Sequence, residues 1–217
     1  MLNFGFIAGS FPVFLEGVQI TLLIAGCASA GALVGGGVIV ALRMSRFAAL
    51  RTLGASYVEV MRNTPVLVQI FVLYFGLPTI GLYPSAIVSA IAALVLQNSA
   101  YLGEIYRTGI QAIPYRQMEA AQAVGMTPFT AMRVAILPQA MRRVLPPVGN
   151  QMVFILKDTS IASTIAVAEL THMGQQVLDR SAAPYEVFLT LACFYLLLTA
   201  VVLGIVKLFE TLLPLRT

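Results

Sequence analysis

Residues 17–42 read GVQITLLIAGCASAGALVGGGVIVAL, a run without one charged side chain. As a helix rising about 1.5 Å per residue, it is long enough to cross a bilayer's hydrocarbon core of about 30 Å. The run stops at Arg43 and Arg46. Its centre is crowded with small residues: Ala28, Gly31, Ala32, Gly35, Gly36 and Gly37. In lipid, small residues four apart let helix backbones approach closely. Such a face packs against another helix of the same chain or against a second subunit.

The rest of the chain follows the same pattern. Of 217 residues, 59% are hydrophobic and only 10% are charged, and the mean hydropathy is +0.90. A soluble domain carries about a quarter charged residues, so this supply cannot cover a water-facing surface. The length suits one domain of about five spanning helices. The next uncharged stretch, Asn63 to Gly103, is too long for one span, and Gly76, Pro78, Gly81 and Pro84 divide it. Pro65 is expected to kink the first of the two helices or to mark its first turn. A fourth apolar stretch, Val144 to Ala168, is interrupted by Lys157-Asp158-Thr159-Ser160, and a fifth runs from Val187 to Val206. The expected fold is all-α: a single polytopic membrane domain over residues 1–217, with spans at about 15–42, 55–76, 84–107, 144–168 and 185–208. The loop 108–143 is rich in arginine and proline, too polar to span, and its Ala-rich piece Glu119–Met126 is expected to form a short helix. No internal repeat is visible.

Charge gives the spans a direction. With five of them, Arg43, Arg46, Arg51, Arg62, Arg107, Arg116, Arg133, Arg142, Arg143, Lys207 and Arg216 fall on one side. Arg180 stands on the other, among Glu16, Glu169, Asp179 and Glu186. Basic loops stay cytoplasmic, which places the N-terminus outside and both the 108–143 loop and the C-terminus in the cytoplasm. No basic segment precedes the first apolar stretch, so a cleaved signal peptide is not expected.

Several chemistries are excluded. There is one histidine, His172, expected in a loop, and no nucleophile–histidine–acid set can be built from it. No G-x-x-x-x-G-K-[ST] phosphate loop occurs, so any ATP is hydrolysed on another chain. Cys27 and Cys193 lie in separate apolar stretches and read as small buried hydrophobes, not as a disulfide or metal pair. No metal cluster is expected, and no basic run interleaved with aromatics points to nucleic acid.

Polar residues inside spans are expensive and usually functional. Asn98, Tyr101 and Glu104 are spaced by three, so adjacent members lie close on one helix surface. Lys157-Asp158-Thr159-Ser160 places both signs of charge beside two hydroxyls, residue types that cap a helix restarting there. Broken helices in a membrane line cavities or are covered by protein. A zwitterionic ligand needs this mixture, donors for its carboxylate and an anion for its ammonium. The alternative is a structural Lys157–Asp158 ion pair, with Glu104 snorkelling to the interface.

The 119–138 segment reads Glu119-Ala120-Ala121, then Gly125, then Leu137-Pro138. It resembles the EAA signature of bacterial ABC-importer permeases, with Ala135 in place of isoleucine. Arg62-Asn63-Thr64-Pro65 through Gln69 and Tyr74-Phe75-Gly76-Leu77-Pro78 resemble a stretch of the polar-amino-acid permeases, with Asn63 for glycine. Tyr101–Arg107, Leu145–Gln151 and Lys157–Ser160 resemble the segments that follow, and the likeness runs from about residue 16 to the end.

The resemblance implies a type I ABC importer fold and a division of labour. Two permease subunits, identical or homologous, surround a path in the bacterial cytoplasmic membrane. Two ABC subunits hydrolyse ATP with Mg outside this chain, which binds no cofactor and is not itself an enzyme. An extracytoplasmic binding protein delivers the amino acid. Glu119, Ala120, Ala121, Gly125, Leu137 and Pro138 would form the coupling element. The substrate pocket would fall on Asn98, Tyr101, Glu104, Lys157, Asp158, Thr159 and Ser160. The rival reading is a secondary transporter or channel for small polar solutes.

Overall fold

The computed structural model describes residues 4–212; Arg216, counted above with the basic side, lies outside the described residues. The chain begins with α1 (Phe4–Arg43), which starts well before the expected residue 15. α2 (Ala48–Asn63) and α3 (Val66–Phe71) follow. α3 runs on through a π-helical turn, Val72–Gly76, and a 3-10 turn, Leu77–Ile80. Where one span over 55–76 was expected, the chain bends by 102° between α2 and α3. Pro65 has no N–H to continue a helix and forces its predecessor toward extended backbone. Thr64 is extended accordingly (φ −106°, ψ 128°).

Gly81, at φ 85°, turns the chain toward α4 (Ala86–Gln111), whose first turn is capped by Ser85 Oγ accepting from Val88 N–H at 3.3 Å. The short loop helix is α5 (Tyr115–Ala123), which begins after Pro114 and ends three residues before Met126. α6 (Pro128–Ala131) and a π-helical turn, Met132–Ile136, lead into α7 (Leu137–Asp158). α7 stops at Asp158 and tightens into a 3-10 segment, Thr159–Ile165. Then come α8 (Leu170–Ser181) and α9 (Pro184–Leu212). Among the described residues three helical stretches are long and apolar enough to cross a membrane, Ile7–Arg43, Ala86–Gln111 and Pro184–Thr211, and the bent pair Ala48–Asn63 with Val66–Ile80 passes only when taken together.

α1 packs along α4, and its small residues make that possible. Ala28 and Ala32 are fully buried. A Cβ on Gly36 would come within 2.7 Å of Leu102 Cβ, and one on Gly35 would collide with Ser99. The small-residue face is therefore largely an intrachain contact, whereas Gly37 looks into open space. Ile24, Ala93, Leu94 and Leu102 join Ile70 of α3, Ile155 of α7 and Ile165 in the main core. A second cluster joins Phe14 of α1, Leu170 and Val177 of α8, and Val187, Leu191 and Phe194 of α9.

Three expectations are corrected here. Cys27 and Cys193 are exposed, not buried. Apolar content cannot separate an inward face from an outward one when the surroundings are lipid. His172 lies in the first turn of α8, not in a loop. Thr159 and Ser160 cap no restarting helix: their hydroxyls donate back to the carbonyls of Leu156 and Lys157, each at 2.8 Å. The restart comes at Leu170, and its cap is Glu169.

Candidate functional site

α4 carries Asn98, Tyr101 and Glu104 along its length, and the structure gives each a different role. Asn98 is buried. Its Nδ2 donates to the Leu94 carbonyl at 2.8 Å, and its Oδ1 accepts from Gln151 Nε2 at 2.6 Å. It therefore ties α4 to α7. The Arg62 guanidinium, from the end of α2, lies 5.0 Å from the centre of the Tyr101 ring, a cation–π contact. Arg107 grips the Glu104 carboxylate through Nε at 3.2 and 3.1 Å and Nη2 at 2.7 Å. Arg43 Nε, from the end of α1, lies 3.1 Å from Glu104 Oε1, an ion pair without the alignment of a hydrogen bond.

These side chains border an open recess of about 440 Å³, lined by Arg43, Val58, Glu59, Arg62, Tyr101 and Glu104. It holds both signs of charge and an aromatic face. Bidentate arginine–carboxylate geometry fixes Glu104, and its ion pairs are largely covered, with side chains 15–24% exposed beside the recess. An incoming ammonium or carboxylate can replace one partner without leaving a buried charge alone.

The second predicted group stands elsewhere. α4 and α7 run antiparallel, with Asn98 against Gln151 and Gly109 against Val144. From the Asn98–Gln151 level, Glu104 is six residues toward one end and Asp158 seven toward the other. At helical rise, about 20 Å separates them along the bundle. Lys157 is exposed, its Nζ 5.8 Å from the Phe154 ring centre, and Asp158 is half-buried. Among the described residues these two form no ion pair. The seven predicted residues therefore form two groups at different depths of one chain.

The 108–143 loop displays its motif. Glu119 and Ala120 are exposed on α5, Ala121 is buried, and Leu137 and Pro138 open α7 with outward faces. Gly125 sits at φ 88° and ends α5, its N–H donating to the Gln122 carbonyl at 2.9 Å. Tyr115, Val124 and Phe129 are 71%, 75% and 76% exposed. All three are large apolar side chains on an otherwise polar loop. Arg143 Nη1 donates to the Ala112 carbonyl, joining the loop's two ends.

Sequence reasoning missed part of this. Arg43, Arg62 and Arg107 enter the sequence reading through orientation and motif likeness and not as site residues, although their place at helix ends next to Tyr101 and Glu104 was a signal. Glu169 was counted only as an outer charge. Its carboxylate is fully buried. It accepts from Thr171 N–H at 2.9 Å, His172 N–H at 2.8 Å and the Tyr195 hydroxyl at 3.0 Å. Burial pushes this carboxyl above the usual range, and those donors pull it back. Leu170 N–H donates to Thr21 Oγ1 of α1 at 3.1 Å, so the knot fastens α8 to α1 and α9.

Comparison with known proteins agrees with this architecture. The family model described as "Binding-protein-dependent transport system inner membrane component" matches residues 34–213. The nopaline transport system permease protein NocM of Agrobacterium fabrum (strain C58) is 38% identical over 211 residues, 93% of this chain and 88% of that one. The glutamine transport system permease protein GlnP of Escherichia coli (strain K12) is 35% identical over 211 residues, 93% of each. A crystal structure of an amino acid ABC transporter with histidines superposes with a TM-score of 0.91 at 34% identity, covering 97% of this chain and 99% of that one. By a family match across most of its length, and by relatives alike from end to end, the chain belongs to the inner membrane components of binding-protein-dependent transport systems.

Proposed function

We propose that this chain is the membrane-spanning subunit of an ATP-driven importer that carries a polar amino acid into the cytoplasm by alternating access. The observation that carries the reading is the recess at Glu104, which offers both charge signs beside an aromatic ring at the end of the bundle that also bears the exposed loop. The names of the relatives, a glutamine and a nopaline permease, support a polar amino acid as cargo.

In this reading α1, the bent α2–α3 pair, α4, α7 with its 3-10 extension, and α9 make five spans. The N-terminus is outside, and the 108–143 loop and the C-terminus are cytoplasmic. A second permease subunit completes the path, and a binding protein loads it from outside. Two ATPase subunits, which hold ATP and Mg, receive α5 and the Gly125 turn. Glu119 supplies a polar contact there, and Tyr115, Val124 and Phe129 supply the apolar one. Leu137 and Pro138 then start α7, so movement of the loop is movement of α7. The Gly109–Val144 contact and the Asn98–Gln151 bond pass it to α4 and the recess. For ATP to drive this, the ATPase must hold the loop differently in the two states. Tyr101 and Glu104 contact the amino acid at one depth, with Asn98 holding α4 to α7 behind them, and Lys157, Asp158, Thr159 and Ser160 meet it at the other.

The test is copurification with a coupling variant. The tagged chain should bring down a separate ATPase, and Gly125→Val should remove uptake while membrane insertion stays at wild-type level. A β-branched residue at positive φ costs on the order of 1–3 kcal/mol locally, enough to deform the turn but not the bundle. A chain that purifies without an ATPase, or a Gly125→Val variant that transports normally, would defeat the proposal.

A further inference from the structure

The break between α2 and α3 exposes carbonyls that a continuous helix would have satisfied. Those of Met61 and Thr64 are met by glutamine side chains, and the side chains of Asn63 and Thr64 fold back onto the last turn of α2. Asn63 Nδ2 donates to the Glu59 carbonyl at 2.8 Å, and Thr64 Oγ1 donates to the Val60 carbonyl at 2.8 Å. Gln69 Nε2 reaches back across the bend to the Met61 carbonyl at 3.0 Å and the Thr64 carbonyl at 3.2 Å. Gln97 Nε2, from α4, donates to the same Thr64 carbonyl at 3.1 Å. Both glutamines are buried, and Gln69 Oε1 has no partner. A buried amide oxygen left unpaired is costly, and the two donor bonds of Gln69 offset that cost.

The clasp lies next to the recess. Gln97 immediately precedes Asn98, and Arg62 is two residues before the clasped Thr64. Gln97 thus ties the end of α2, where Arg62 stands, to α4, which carries Tyr101, while Gln69 ties that same end to α3. We infer that Gln69 and Gln97 are positioning residues for transport: by holding the Thr64 carbonyl from both sides they fix the α2–α3 bend and, through it, the Arg62 wall of the recess. Neither glutamine lines the recess, so neither touches cargo there. The inference rests on the reading of that recess as the substrate site.

The experiment uses the assembled transporter in proteoliposomes, with Cys27 and Cys193 replaced by serine and spin labels at Val60 and Val72. Both label sites are exposed and lie on opposite sides of the bend. In the Gln69→Met, Gln97→Met double variant the label–label distance distribution should broaden. The KM for amino-acid-stimulated ATP hydrolysis should rise about tenfold with the maximal rate within about threefold, as for loss of ground-state positioning. Gln69→Met alone keeps the Gln97 bond and should give a smaller change of the same kind; it carries the test if the double variant does not assemble. An unchanged distribution overturns the inference, and so does a broadened distribution with an unchanged KM. Glu104→Gln, measured alongside, separates the two readings. A wild-type KM in that variant counts against the recess as the substrate site, while the distance measurement still judges the clasp.

Discussion

Glu104 and Glu169 are both glutamates at the edge of a span, and the structure treats them oppositely. Glu104 stands at the mouth of an open recess, held by two arginines whose charges can be exchanged for those of a ligand. Glu169 is sealed from solvent and held by two backbone N–H groups and a tyrosine hydroxyl. Neutral donors fixed by a helix terminus have nothing to exchange. The difference teaches that a carboxylate's partners, more than its depth, separate a site from a structural cap.

Substitutions can break that comparison. Glu169→Ala should have the largest effect: three donors lose their acceptor in a dry setting, at about 1–3 kcal/mol for each group left unsatisfied. Thermal unfolding of the detergent-solubilised complex should shift down sharply, with low membrane levels, and Glu169→Gln should recover part of the loss because its amide oxygen still caps α8. A stable but inactive Glu169→Ala protein would make Glu169 functional and collapse the distinction. Glu104→Gln should do the reverse, with uptake falling about tenfold or more and a smaller loss of stability than Glu169→Ala, since the amide oxygen still accepts from Arg107.

Asp158→Asn should weaken uptake and substrate-stimulated ATP hydrolysis by less, about threefold, since among the described residues Asp158 forms no ion pair. Unchanged values for both would remove it from the site. The smallest effect belongs to Tyr195→Phe, which takes one of three donors from Glu169. It should cost about 1 kcal/mol of stability and leave transport rates unaltered. A transport defect there, at normal stability, would connect the α8 knot to the path.

Much of this was legible in the sequence, for reasons particular residues show. Uncharged runs ending at Arg43, Glu104 and Lys207 locate α1, α4 and α9, because lipid tolerates few charges. Gly81 was readable as a breaker and adopts positive φ; Gly125, inside the helix expected over Glu119–Met126, adopts it too and ends α5 early. The three-residue spacing of Asn98, Tyr101 and Glu104 marked one strip of α4. What it concealed was partnership. Asn98 was grouped with ligand residues, yet it bonds Gln151, 53 residues away. Glu169 read as a surface acid because its donors, apart from Tyr195, are backbone groups that no side-chain pattern advertises. The outward placement of Cys27 and Cys193 was hidden for the reason that lipid-facing and core-facing residues share one composition. The 102° bend at Thr64–Pro65 was announced by proline, but its angle depends on Gln69 and Gln97, which a local reading does not connect.

The central claim, that this chain moves an amino acid with energy supplied by a partner ATPase, is tested most directly by uptake into proteoliposomes. The complex purified through this chain would be reconstituted with its binding protein and offered a panel of labelled amino acids, with and without ATP at the ATPase face. The account requires accumulation of at least one polar amino acid that depends on ATP and disappears in Gly125→Val. Uptake by the permease alone, driven by an ion gradient and indifferent to ATP, would contradict it.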